Sequence, residues 1–257
     1  MLTVMKRIFN GVRMPWAVLL FTLRYPVIIG YGVIASLYES LLSHIFQVKN
    51  PLLFSNGATL SQATIAWLYI LVGTFITIAK LKYMLAALNK NQPHYEMRDS
   101  FTHTIRQWLV VTIWSIIICS FYLVKSFGSL WIDGLLILPV ILLAFFSERI
   151  AENTTPWQRM VPESLKLIKA YWPELTGLII LKATIMLFLF HVSLLANLAP
   201  TSMDVINPAH LTSPMLDLYL ILQVILNLGY VGSAGIAILQ HYRGRNVGED
   251  FAPYFRS

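Results

Sequence analysis

Apolar residues in this chain collect in windows of about twenty rather than recurring every second or fourth position. Six such windows stand out, at 26–47, 60–81, 108–125, 130–147, 175–198 and 215–239. A helix rises about 1.5 Å per residue, so about 20 apolar residues cross the roughly 30 Å hydrocarbon core of a bilayer. The pattern predicts six transmembrane helices. The third and fourth are parted only by residues 126–129, which predicts a tight hairpin.

Three segments outside these windows show a helical stripe instead. Val4, Ile8, Val12 and Trp16 share one face in 3–22, with Lys6, Asn10 and Arg13 opposite. Met97, Phe101 and Trp108 align against Arg98, Asp99 and Arg106; Val161, Leu165, Ile168 and Trp172 align against Glu163, Lys166 and Lys169. Apolar faces backed by Lys and Arg describe helices lying in the membrane interface. Trp16, Trp108 and Trp172 are their candidate anchors. The alternative is that these segments are cytoplasmic extensions of the spans, packed on one another.

The second and third of these helices look duplicated. Asp99-Ser100-Phe101 then Trp108, and Glu163-Ser164-Leu165 then Trp172, share an acid, a serine, an apolar residue and a tryptophan nine positions after the acid, at a constant offset of 64. Each follows a polar stretch with proline and leads into a span. The repeated unit is an interfacial helix, a span, an outer turn and a span; three units account for six spans, although 9–26 matches the other two poorly.

Composition supports the membrane reading. The chain is 57% hydrophobic and only 12% charged, against roughly 25% charged in soluble domains. That excludes an ordinary soluble domain, a disordered chain and a nucleic-acid module. The net charge of +7 has a simpler cause than nucleic acid, because Lys and Arg gather in cytoplasmic loops. Sixteen of the nineteen basic residues fall on the side of the two termini, only Lys49 and Lys125 on the other, and Lys182 within the fifth window. Both termini are therefore expected in the cytoplasm. The expected architecture is an all-α polytopic membrane bundle, a single transmembrane domain over 1–257 with a cytoplasmic tail at 240–257. No secretory signal peptide is expected, since the N-terminus lacks a short apolar core followed by a small-residue cleavage site.

The run Pro162-Glu163-Ser164-Leu165-Lys166-Leu167-Ile168-Lys169-Ala170-Tyr171-Trp172, followed by Gly177 and an apolar span, resembles a segment of uncharacterised bacterial six-span membrane proteins akin to the membrane domain of glycerophosphodiester phosphodiesterases. The stretch from Leu138-Pro139-Val140 to Glu148 is similar to the span before it. The likeness covers roughly 70–180, and the chain departs from the pattern in keeping 153–157 between the two parts. The resemblance implies a fold and a membrane, but no activity, because no phosphodiesterase catalytic domain is attached. It favours a bacterial inner (cytoplasmic) membrane.

Candidate chemistry is sparse. No CxxC, HExxH, GxSxG or P-loop pattern occurs, so no metal, cofactor or catalytic residue is assigned and no enzyme is expected. Cys119 reads as a small core hydrophobe. Ionisable residues inside spans are costly and are functional candidates by default. Glu39, His191 and Gln223 fall at similar heights in the outer half; Lys182 and Asn227 fall in the inner half. They form either two polar layers lining a pathway, or a snorkelling lysine, one interhelical hydrogen bond and packing glue. Gly32, Ser36 and Ser40 make a small-residue face on the first span. Gly229, Ser233 and Ala237, beside Gly232 and Gly235, make another on the sixth, and contact between the two faces would close the bundle. Glu148 and Glu152, one turn apart beside Arg149, read as a solvated helix end or as paired acids of an intramembrane enzyme.

These features favour a non-catalytic scaffold or subunit of a membrane or envelope assembly. The lipid bilayer is its first partner, with a second membrane protein or a further copy of the chain as another. The alternative is a small-solute or lipid transporter or channel subunit that uses the polar layers.

Overall fold

The computed structural model describes residues 2–46, 60–88, 95–125, 146–152, 157–195 and 229–244. Every element among them is an α-helix. They are α1 (Leu2–Arg24), α2 (Val27–Phe46), α3 (Leu60–Leu88), α4 (Met97–Ile105), α5 (Trp108–Lys125), α6 (Phe146–Glu152), α7 (Trp157–Leu195) and α8 (Gly229–Gly244). The all-α expectation holds. The fourth window lies outside the described residues except for its last two positions, and the sixth is described only from Gly229.

One helix, Ser61–Leu88, is long and apolar enough to cross a bilayer by itself. Two further stretches reach that length only as bent pairs: Thr3–Arg24 turns by 100° into Val27–Leu42, and Met97–Ile105 turns by 80° into Trp108–Ser120. The described residues thus hold one straight candidate span, or three if each bent pair is one span. The elbows have local causes. Pro26 has no N–H to give to a continuing helix and disfavours helical backbone at Tyr25. At the second elbow Arg106 and Gln107 form the turn, closed by the Arg106 and Gln107 amides on the Thr102 and Thr104 carbonyls. A third break falls inside α7, where Tyr171 leaves helical geometry (φ −116°, ψ 16°) two residues before Pro173. At the offset of 64, Gln107 corresponds to Tyr171.

The second window underestimates its helix. α3 runs on to Leu88, so Lys82, which the hydropathy window leaves just beyond the span, stands on a packed helix and is buried.

α8 is the innermost described helix. Residues 232–239 are all buried, the signature of a helix packed on every side. On one flank Ala234, Ala237 and Ile238 meet Val18 and Phe21 of α1, Ile28 of α2 and Met84 and Leu88 of α3. On the other, Ile236 and Leu239 join Met14 of α1 and Leu167, Leu175 and Leu178 of α7. A third cluster, Ile78, Leu81, Val111, Trp114, Ile150 and Met160, binds α3, α5, α6 and α7.

The most extensive contact is between α1 and α7. It is close because two glycines meet there. A Cβ on Gly11 would stand 1.8 Å from the Glu174 carbonyl oxygen, and one on Gly177 would stand 2.0 Å from that of Ile8. Only glycine permits backbones to approach so nearly. Neither the Gly11–Gly177 crossing nor the pairing of the N-terminal helix with α7 follows from the hydropathy pattern.

Candidate membrane interface

The three tryptophans named from the sequence all point outward, at 61% (Trp16), 62% (Trp108) and 50% (Trp172) exposure. Each lies at or within ten residues of a helix break. On α1 the exposed apolar side chains Met5, Phe9, Trp16 and Leu23 form one stripe. At about 100° per residue, Lys6, Arg13 and Arg24 lie together on a flank of that stripe. Asn10, read from the sequence as part of the polar face, is instead buried with Met14, Ala17 and Phe21. The reason is the glycine crossing, which turns the 10–11 edge of α1 into α7.

The duplicated serines occupy matching environments, whereas Phe101 packs on Tyr31 and Phe75 and Leu165 is exposed. Ser100 and Ser164 are both fully buried. Ser100 Oγ donates to the Met97 carbonyl (2.7 Å) and hydrogen-bonds the Tyr31 hydroxyl of α2. Asp99 accepts the Glu96 amide at the start of α4 (2.9 Å), whereas Glu163 pairs with Lys166 (2.7 Å), which holds its carboxyl below the usual range.

Two of the breaks are pinned by cations from other helices. A break leaves carbonyls without intrahelical partners, and a cation at a helix C-terminus satisfies them and the dipole together. Lys82 Nζ donates to the Gln107 Oε1 (2.7 Å) and the His103 carbonyl (3.3 Å) at the α4–α5 elbow. Arg7 donates to the Ala170 carbonyl just before the break in α7. It also grips Glu174 just beyond it, Nε to Oε1 and Nη2 to Oε2, each 2.8 Å. Glu174 is fully buried and Arg7 is 28% exposed. From the sequence, Arg7 and Lys82 read only as two of the positive-inside charges. What could have flagged them is their position one or two turns from apolar faces, a signal that surface lysines share.

The candidate polar layers are not assembled by the described residues. Glu39 is exposed on α2, pointing away from the bundle, as are Gly32, Ser36 and Ser40; nothing approaches within 4 Å of a Cβ on Gly32. Lys182 is half-buried on α7. His191 lies on α7, its side chain outside what is described, and Gln223 and Asn227 lie outside the described residues. The small residues of the sixth window behave differently from those of the first. Gly232, Ser233, Gly235 and Ala237 are buried in α8. Gly235 admits Met14 of α1, whose Sδ would stand 2.9 Å from a Cβ there. α8 packs principally on α1 and α3, and Gly229 opens the helix.

The solvated helix end expected at Glu148 and Glu152 is a correction. Glu148 is fully buried, because α6 packs its polar first turn against α3, α7 and α8. Arg149 pairs with Glu152 (Nη1 to Oε2, 2.6 Å), and burial pushes the Glu152 carboxyl up. Among the described residues no three His, Cys, Asp or Glu side chains are placed to hold a metal ion. Cys119 is buried with Ala66 and Ile70, and burial is the ordinary state of a free structural thiol. Comparison with protein-family models, with curated proteins and with solved structures finds no match to this chain in any of the three.

Proposed function

We propose that this chain is an integral protein of a bacterial inner membrane, a six-span bundle with both termini cytoplasmic, and that it serves as a scaffold or subunit of a membrane assembly. The observation that carries this reading is the outward face of α2. Ile29, Val33, Leu37, Leu41 and Ile45 are all at least half exposed there, a continuous apolar surface suited to lipid. Beside it, on the same exposed side of α2, lie Gly32, Ser36 and Glu39. A carboxyl facing hydrocarbon costs about 2.5–3.5 kcal/mol or more at mid-depth, and small residues let a second helix approach. A neighbouring membrane helix seated on α2 would shield the carboxyl and use the close approach the small residues permit.

The near-perpendicular elbows support the interfacial part of the reading. A helix in the membrane plane that continues into an upright one must turn by about a right angle, and the turns of 100° and 80° suit that, each with an exposed tryptophan nearby. The matched serines and breaks at the offset of 64 favour the repeated unit, and the likeness of 162–172 to six-span bacterial proteins favours the same architecture. Glu39 facing outward weighs against a pathway enclosed within one copy, and so places transport second.

The test is cross-linking in native membranes from Leu37→Cys in a Cys119→Ser background, with native mass spectrometry of the purified full chain. A cross-link to a second copy or to one defined polypeptide, retained as a stoichiometric complex, is expected. A monomer that forms no cross-link and carries a defined solute, lost in Glu39→Gln, would overturn the scaffold reading in favour of transport.

A further inference from the structure

Glu148 is the most anomalous side chain among the described residues. It is fully buried, and neither carboxyl oxygen has a hydrogen-bond partner among the described residues. An isolated buried carboxylate is too costly to persist, so such a group either finds a cation or keeps its proton. It lies in the first turn of α6, which packs on α3, α7 and α8. Among the described side chains, several charged groups on those elements are engaged elsewhere or exposed. Lys82 of α3 is held by Gln107 and the His103 carbonyl, and Lys80 sits 3.6 Å over the Tyr230 ring of α8. On α7, Arg159 is exposed and Glu163 pairs with Lys166. On α6 itself Arg149 gives its Nη1 to Glu152, while its buried Nε has no acceptor.

We propose that Glu148 is a proton-binding site, and that its proton is what allows α6 to dock in the interior. With the proton on, the carboxyl is neutral and the Arg149–Glu152 pair is undisturbed. When the proton leaves to water, a carboxylate stands beside an arginine with one idle donor, and Glu148 and Glu152 compete for it. Arg149 then turns toward Glu148, or α6 lifts until water reaches the carboxylate; either way the α6 contact loosens. Burial, reinforced by the nearby Glu152 charge, pushes the Glu148 carboxyl up to about 8, so the change falls within the range a cell experiences. The sign follows from proton counting. The folded chain holds this proton up to about pH 8, whereas the unfolded chain loses it near 4.5. Stability is therefore highest below the lower value, falls with rising pH between the two, and levels off above the upper one.

The experiment uses the full chain in lipid nanodiscs, with thermal unfolding followed between pH 5 and pH 9 for the native chain and for Glu148→Gln, a neutral shape mimic of the protonated acid. The native chain is expected to lose roughly 5–10 °C of Tm across the range. The Gln variant should lose much less and should exceed the native chain at pH 9. Difference infrared spectroscopy gives a readout that does not depend on stability: a protonated-carboxyl stretch present at neutral pH, titrating near 8 and absent from Glu148→Gln. Equal pH slopes in the two proteins, or no protonated-carboxyl band at neutral pH, would overturn the proposal. If Glu148→Gln does not fold, the infrared titration of the native chain decides alone.

Discussion

At the scale of single residues, the interior of this chain is decided by a few polar groups that hydropathy averages away. Arg7 and Glu174 are 167 positions apart, yet they form a bidentate pair whose carboxylate is fully buried. Removing one partner of such a pair leaves the other charge uncompensated, which costs about 3–5 kcal/mol when both are deeply buried. Arg7 keeps some solvent contact, so Arg7→Met is expected to cost less, about 2–3 kcal/mol. Glu174→Gln, which keeps an acceptor for Arg7, should cost about half as much, and combining the two should not add. Unfolding of the three variants in detergent checks this; a loss from Arg7→Met below that from an exposed control such as Lys6→Met would remove the pair from the account. None of this was legible beforehand. Charge type was visible in Arg7, Lys82 and Glu148, but burial was not, because burial depends on which distant helix arrives.

At the scale of elements, helix breaks and glycines do more than hydrophobic content. α1 is apolar on two sides: Met14, Ala17 and Phe21 face the core, and Phe9, Trp16 and Leu23 face outward. It cannot be assigned a buried face from composition, and only the Gly11–Gly177 crossing chooses one. Gly177→Ala brings a methyl group to within 2.0 Å of the Ile8 carbonyl, so α1 must retreat along its whole length. Overpacking of this kind costs about 1–3 kcal/mol, and the site is rigid backbone, so the upper part of that range is expected. Hydrogen exchange should then show the α1 amides losing protection before those of α3. Unchanged α1 protection would mean that the crossing is not tight. The elbows were partly legible, since Pro26 and Pro173 announce two of them. The one at Arg106–Gln107 has no proline to announce it.

At the scale of the whole molecule, the outward-facing tryptophans and the inward-facing ones make separable populations. Trp16, Trp108 and Trp172 are exposed, whereas Trp67 and Trp114 donate their indole N–H groups to Ser115 and Ser147, each at 3.0 Å. Single-tryptophan variants in bilayers of brominated lipid should therefore quench strongly at the first three positions and weakly at Trp114, since bromine on acyl chains reaches only rings at the lipid boundary. Uniform quenching, or strong quenching by an aqueous quencher at the three exposed rings, would argue that these helices do not lie in the interface. That the chain is helical, and carries about half the charge of a water-facing protein, was already readable from composition and from runs of neighbouring apolar residues. The sequence also marked the outward tryptophans Trp16, Trp108 and Trp172, but not the faces beside them: Met97 and Phe101 turn inward onto Tyr31 and Phe75, and Phe9 rather than Ile8 or Val12 lies beside Trp16 on the outside. Contacts made in three dimensions settle that α8 is the innermost of the described helices, that Gly32, Ser36 and Glu39 face outward, and that Glu148 is buried with no hydrogen-bond partner among the described residues. Those outcomes rest on contacts between residues scores of positions apart, where one close glycine crossing turns a helix and reassigns every side chain on it.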